Sequence, residues 1–145
     1  MADRAQNYSN HRRYFPLFHF TAVPLLLLYL IYSVYSFVRA PSLATIATVV
    51  LAVGIVCALL ASRIMALSVQ NRVIRLEMQL RLARVLGPAG QAAFDALTVR
   101  QLVALRFASD AELPSLVQRV RSNELPTSKS VKQAIREWRA DWLRA

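Results

Sequence analysis

Two stretches without a single Asp, Glu, Lys or Arg, residues 14–38 and 40–62, constrain this chain more than any other feature of its sequence. A helix rises about 1.5 Å per residue, so about 20 residues cross a hydrocarbon core roughly 30 Å thick, and either stretch suffices. Between the spans placed on them, 15–38 and 43–65, lie only Arg39, Ala40, Pro41 and Ser42. Pro41 sets a turn and Ser42 can cap the next helix, which predicts a tight antiparallel hairpin of spans 15–38 and 43–65 joined by an external turn at 39–42.

Lys and Arg near span ends are retained on the cytoplasmic side. Arg4, Arg12 and Arg13 precede the first span, Arg39 alone sits in the turn, Arg63 lies at the end of the second span, and Arg72, Arg75 and Arg81 follow it. Both termini are therefore expected on the cytoplasmic side of the membrane. Arg12-Arg13, the apolar run and Val38-Arg39-Ala40 imitate a cleavable signal peptide. The run, however, exceeds the usual length of about 7 to 15 residues, and Pro41 would follow the scissile bond.

Beyond the second span Val69, Val73, Leu76, Leu80 and Ala83 recur at steps of four and three, so the helix should continue as a basic amphipathic stalk over 66–86 and stop at Gly87-Pro88. The stripe is too short for a secure coiled-coil seam, and the tail is expected to fold back onto it. Residues 87–145 read as short helices. Thr98 can cap one holding Leu102, Val103, Leu105 and Arg106; Ser109 and Glu112 have capping-box spacing before Leu116, Val117 and Val120; Thr127 or Ser128 can cap a basic terminal helix with Val131, Ile135, Trp138 and Trp142 on one face. Such a tail is too small to be stable alone and should lean on the stalk, the membrane surface or a partner.

Composition narrows the chemistry. The chain of 145 residues is 56% hydrophobic and carries 18 basic against 8 acidic residues, with one cysteine and three glycines. Cys57 cannot form an internal disulfide or a thiol pair, and a Gly-rich phosphate loop is excluded. No Ser-His-Asp set, paired catalytic carboxylates, HExxH or Walker sequence is present, so no catalytic residue is assigned. The densest polar block is Gln6-Asn7-Tyr8-Ser9-Asn10-His11-Arg12-Arg13-Tyr14, followed by Pro16-Leu17-Phe18-His19-Phe20. His11 and His19 are the candidates for a haem or metal site, but nothing nearby completes a ligand set, and no cofactor is expected. Within the span, the Phe20 carbonyl freed by Pro24 is the expected partner of His19.

In the spans Gly54, Ala58 and Ser62 repeat every four residues and permit close helix approach, first within the hairpin, while Tyr29 and Tyr32 are further candidates for helix packing. The basic excess after Ser62 points to anionic headgroups, with Arg12, Arg13, Arg72, Arg75, Arg81, Arg84, Trp138 and Trp142 as lipid or partner contacts. Nucleic acid is not expected, since no recognition motif accompanies the charge.

The block Gln6-Asn7-Tyr8 with Asn10-His11 and Pro16 to Phe20, the run Gln70 to Glu77, the run Leu97 to Leu113 and the run Lys132 to Arg139 resemble a family of small bacterial two-span membrane proteins classified only as a domain of unknown function. The resemblance implies an all-α membrane protein: a two-helix transmembrane hairpin, the second helix extended into a cytoplasmic stalk, and a small helical C-terminal tail. It carries no activity, cofactor or catalytic residue. It directs attention to the polar N-terminal block and to Leu105-Arg106-Phe107-Ala108-Ser109-Asp110. The expected function is a non-enzymatic accessory subunit or adaptor of a larger membrane complex, partnered by another membrane protein or by itself. The alternatives are a histidine-dependent haem or metal protein and an anionic-lipid surface sensor.

Overall fold

The computed structural model describes residues 5–11 and 14–141, so Arg12, Arg13 and Trp142 lie outside the described residues. Every regular element among those described is helical: a π-helical turn at Leu17–Ala22, then α1 (Val23–Arg39), α2 (Leu43–Leu86), α3 (Ala89–Asp95), α4 (Val99–Leu105), α5 (Leu113–Arg121) and α6 (Ser128–Ala134). The chain divides into two compact units, one formed by Arg13–Leu67, the other by Met1–Arg12 with Ser68–Arg144.

In the first unit the segment Leu17–Arg39 and helix α2 are each long and apolar enough to cross a membrane. Leu25, Leu28, Ile31, Val50, Leu51 and Leu60 are not covered by protein. A helix apolar on all sides and uncovered by its own chain is suited to a hydrocarbon solvent. Ahead of Pro24, which has no N–H to donate, the Val23 N–H bonds to the Phe18 carbonyl, one residue further back than in an α-helix. At the turn Ser42 and Thr45 cap α2 reciprocally: each backbone N–H donates to the other's hydroxyl, at 2.9 and 3.2 Å. The Ser42 cap is as the sequence predicts.

Partly covered positions recur at steps of four and three on both helices: Leu26, Tyr29, Ser33 and Ser36 on α1, and Thr45, Val49, Ala52, Val56, Leu59 and Arg63 on α2. Ser33 and Ala52 are the most enclosed, and the Ser33 hydroxyl donates to the Leu30 carbonyl at 2.8 Å. Gly54, Ala58 and Ser62 are exposed, and a Cβ on Gly54 would meet nothing within 4 Å. The covered face of α2 is thus not the small-residue stripe that the sequence assigns to close packing. Tyr29 is half-buried while Tyr32 is open, so the two tyrosines do not share one environment.

In the second unit the tail folds against α2, but on a different face from the one expected. Ile74, Met78 and Leu82 enter a core with Phe94, Leu97, Leu102, Leu105, Phe107, Leu113, Leu116, Val117, Val131 and Ile135. Val69, Val73, Leu76 and Leu80 stay open. The 66–86 stretch carries two apolar stripes, and the tail has taken the one at 74, 78 and 82. Gly87, in the left-handed conformation with φ 56°, ends α2 and turns the chain into α3. Thr98 and Thr127 each form a capping box, with Gln101 and Ser130.

The predicted terminal helix stops early. After Ala134 the backbone becomes extended at Ile135, and residues 137–139 run beside 107–109: the Ser109 N–H donates to the Glu137 carbonyl at 3.0 Å and the Arg139 N–H to the Phe107 carbonyl at 2.7 Å. The expected capping box at Ser109 is made by only one partner. Ser109 Oγ accepts from the Glu112 N–H at 3.2 Å, whereas the Glu112 carboxylate accepts from the Arg136 and Glu137 N–H groups, both at 3.1 Å. Those are donors a continued helix would have pointed at its own carbonyls.

Candidate functional site

The second unit gathers several of the polar side chains that the sequence singles out, among them Arg81, Arg84 and His11, in two clusters. In the first, Arg81 projects from the face of α2 that also carries Ile74, Met78 and Leu82, and it is 8% exposed. A guanidinium enclosed in this way needs acceptors for its fork of donors. It finds them all in the Arg106 to Asp110 segment: Nε donates to Asp110 Oδ1 at 2.6 Å, Nη1 to the Arg106 carbonyl at 3.0 Å and Nη2 to the Ala108 carbonyl at 2.5 Å. Arg81 therefore belongs to the interior and not to a headgroup surface. Arg84 is open and reaches Asp110 Oδ2 at 3.2 Å; Arg72 and Arg75 are exposed, Arg75 lying 5.3 Å over the Phe94 ring.

A groove of about 540 Å³ beside this cluster is lined by Arg81, Arg84, Arg106, Arg139, Glu77 and Asp141 among others. Its arginines are matched by carboxylates: Arg106 Nε lies 3.2 Å from Asp141 Oδ2, and Asp110 serves Arg81 and Arg84 with Arg139 at 3.9 Å. The hydrogen bond from Arg81 holds the Asp110 carboxyl below its ordinary range, helped by the charges of Arg81, Arg84 and Arg139 and opposed by desolvation. The folded state thus binds this proton more weakly than the unfolded chain. The resulting stability is whole above the ordinary aspartate value of about 4 and is lost as the pH falls through the lowered value. Between about pH 5 and pH 3 the wild-type melting temperature should drop further than that of Asp110→Asn. Parallel pH profiles of the two proteins would show that this carboxylate contributes nothing.

The second cluster brings the N-terminal block onto the tail. Tyr8, Phe107 and Trp138 surround the His11 ring, with centroids at 5.5, 6.0 and 5.8 Å. His11 Nδ1 lies 2.6 Å from the Tyr8 carbonyl and Nε2 lies 3.2 Å from Lys132 Nζ. A carbonyl can only accept and an ammonium can only donate, so this arrangement fits a neutral ring protonated at Nδ1. Gln6 Oε1 accepts from the Asp141 N–H at 2.8 Å, a second tie between the two ends of this unit. Trp138 packs 5.2 Å from Phe107 and donates Nε1–H to the Ile135 carbonyl at 3.2 Å.

His19 belongs to the other unit. Its Nδ1 lies 3.1 Å from both the N and O of Phe15, and Tyr14 and Phe18 flank the ring. The partner is thus the backbone of Phe15 and not the Phe20 carbonyl: the ring folds back one turn toward the start of the helix. Among the described residues no group of three or more His, Cys, Asp or Glu comes together as a metal site. With both ring nitrogens of His11 directed at protein partners, the geometry offers no open ligand position there.

Sequence reading missed Arg106 with Asp141 and the docking role of Gln6. The Arg81 cluster did leave a signal. Arg81 falls within the second apolar stripe of α2, where a charge must be enclosed and answered.

None of the curated proteins and none of the solved structures matches the chain. A family model does match, across residues 1–145, and its description reads family of unknown function (DUF6526). The chain belongs to that family.

Proposed function

We propose that this protein is a non-enzymatic accessory subunit or adaptor of a larger complex in the bacterial inner membrane. Residues 15–38 and 43–65 form an antiparallel hairpin of spans, and α2 continues into the cytoplasm as a stalk carrying the tail. The observation that carries the reading is the union of the chain's two flanks in one folded body. Gln6 and His11, from before the first span, are bonded to Asp141 and Lys132, from beyond the second. An even number of spans puts both flanks on one side of the membrane, and their arginines make that side the cytoplasm. The arrangement favours a binding platform over a reaction centre, because the polar groups best suited to chemistry are engaged in holding the platform together. Exposed Arg72 and Arg75 remain available to anionic headgroups or to a partner.

Affinity isolation from native membranes in mild detergent, with mass-spectrometric identification, tests this. A second membrane protein in stoichiometric amount is the expected result. Recovery of this chain with no other polypeptide overturns the adaptor reading.

A further inference from the structure

The apolar stripe left open by the tail needs a cover that neither lipid in the hairpin reading nor the described residues of the chain supply. Val69, Val73, Leu76 and Leu80 are 61, 48, 62 and 73% exposed, although they lie beyond the span expected to end at residue 65. With Ala83 they follow the four-three spacing of a coiled-coil seam. At about 100° per residue, the centre of this stripe lies about 160° round α2 from the face carrying Ile74, Met78, Arg81 and Leu82. The tail occupies the far side, so a second helix can lie along the stripe without meeting it.

The charges beside the stripe say which helix fits. Taking Val73 and Leu80 as a positions and Val69, Leu76 and Ala83 as d positions puts Arg72 at g and Glu77 at e. In a parallel, in-register pair the g residue of one helix faces the e residue five places on in its partner. Arg72 thus meets the other copy's Glu77, twice by symmetry. Glu77 is the sole acid between residues 66 and 86, among Arg72, Arg75, Arg81 and Arg84, and it stands where that pairing requires one. Both side chains are exposed in the single chain.

We infer that residues 69–83 of α2 form a parallel homodimer seam, with a second copy of this chain as its occupant. The inference rests on the membrane reading above in one respect: two copies inserted with the same orientation can meet only in parallel. Little more than two heptads would not hold free helices together in water. Anchoring both copies in one bilayer replaces much of that cost with a high effective concentration.

The test uses the full chain in liposomes with Cys57→Ser as background. Leu76→Cys should give a disulfide-linked dimer under mild oxidation, because equivalent d positions adjoin across a parallel seam, whereas Asn71→Cys on the far side should not. Comparable cross-linking at both positions, or none at residue 76, overturns the proposal. The second arm is a charge exchange. Glu77→Arg should weaken dimerisation by about tenfold or more through facing like charges, and Arg72→Glu combined with Glu77→Arg should restore it. A double variant no better than the single one overturns the register. A stoichiometric partner recovered from native membranes would support the adaptor reading even if no homodimer formed, so the two can fail separately.

Discussion

Gly90→Ala should destabilise the protein by about 3 kcal/mol, even though alanine is the better helix former. Placed in a free helix, the substitution would gain about 1 kcal/mol. Here a Cβ would stand 2.4 Å from the Leu82 carbonyl oxygen and 2.7 Å from the Ala83 Cα. These are backbone atoms of α2, so no rotamer change relieves the contact. Either α3 moves away from α2 or the last turn of α2 deforms, and both open the core around Leu82, Ala93 and Phe94, each at most 5% exposed. The measurement is thermal unfolding of the full chain in detergent followed by tryptophan fluorescence, for which Trp138 against Phe107 is a suitable reporter. Gly54→Ala is the control, since its Cβ would meet nothing within 4 Å. A melting temperature for Gly90→Ala equal to that of the control would contradict the close approach of α3 to α2.

The two apolar stretches made the two helices long and apolar enough to cross a membrane legible, because an uninterrupted apolar run is a compositional signal that needs no knowledge of tertiary contacts. Local capping was legible for the same reason: Thr98, Thr127 and Ser42 act within one turn of themselves. What the sequence hid is long-range. Helix α2 beyond residue 65 presents two apolar stripes, and spacing alone does not say which the tail will cover. The choice turns on Arg81, whose burial is tolerable only because carbonyls from a segment some 25 residues later converge on it. The early end of α6 has the same character. Val131, Ile135 and Trp138 keep a helical spacing, yet the Glu112 carboxylate and the edge at 107–109 offer the donors of residues 136–139 better partners than another helical turn would. The N-terminal block was recognisable as unusual from its density of polar groups. Its destination was not, because a contact between Gln6 and Asp141 has no local signature.

Arg81 is therefore the residue whose loss most directly tests how the tail is held to α2. Arg81→Ala removes three donors at once and leaves the Arg106 and Ala108 carbonyls without them in a largely buried setting. Each buried group so orphaned costs about 1–3 kcal/mol, and Asp110, which is half exposed, retains water and Arg84, so a total near 3 kcal/mol is expected. Arg84→Ala on the same carboxylate should cost less than about 1 kcal/mol, since that pair is solvent-exposed. Charge alone does not separate the two arginines; geometry does. Arg81→Lys keeps the charge but presents a point donor in place of a fork that spans a carboxylate and two carbonyls, so it should recover less than half of the loss. Equal melting temperatures for Arg81→Ala and Arg84→Ala would show that the enclosed guanidinium is not what fixes the Arg106 to Asp110 segment. A full rescue by lysine would reduce its role to electrostatics. The expected order, wild type above Arg84→Ala above Arg81→Lys above Arg81→Ala, follows only if hydrogen-bond geometry inside the tail decides the matter.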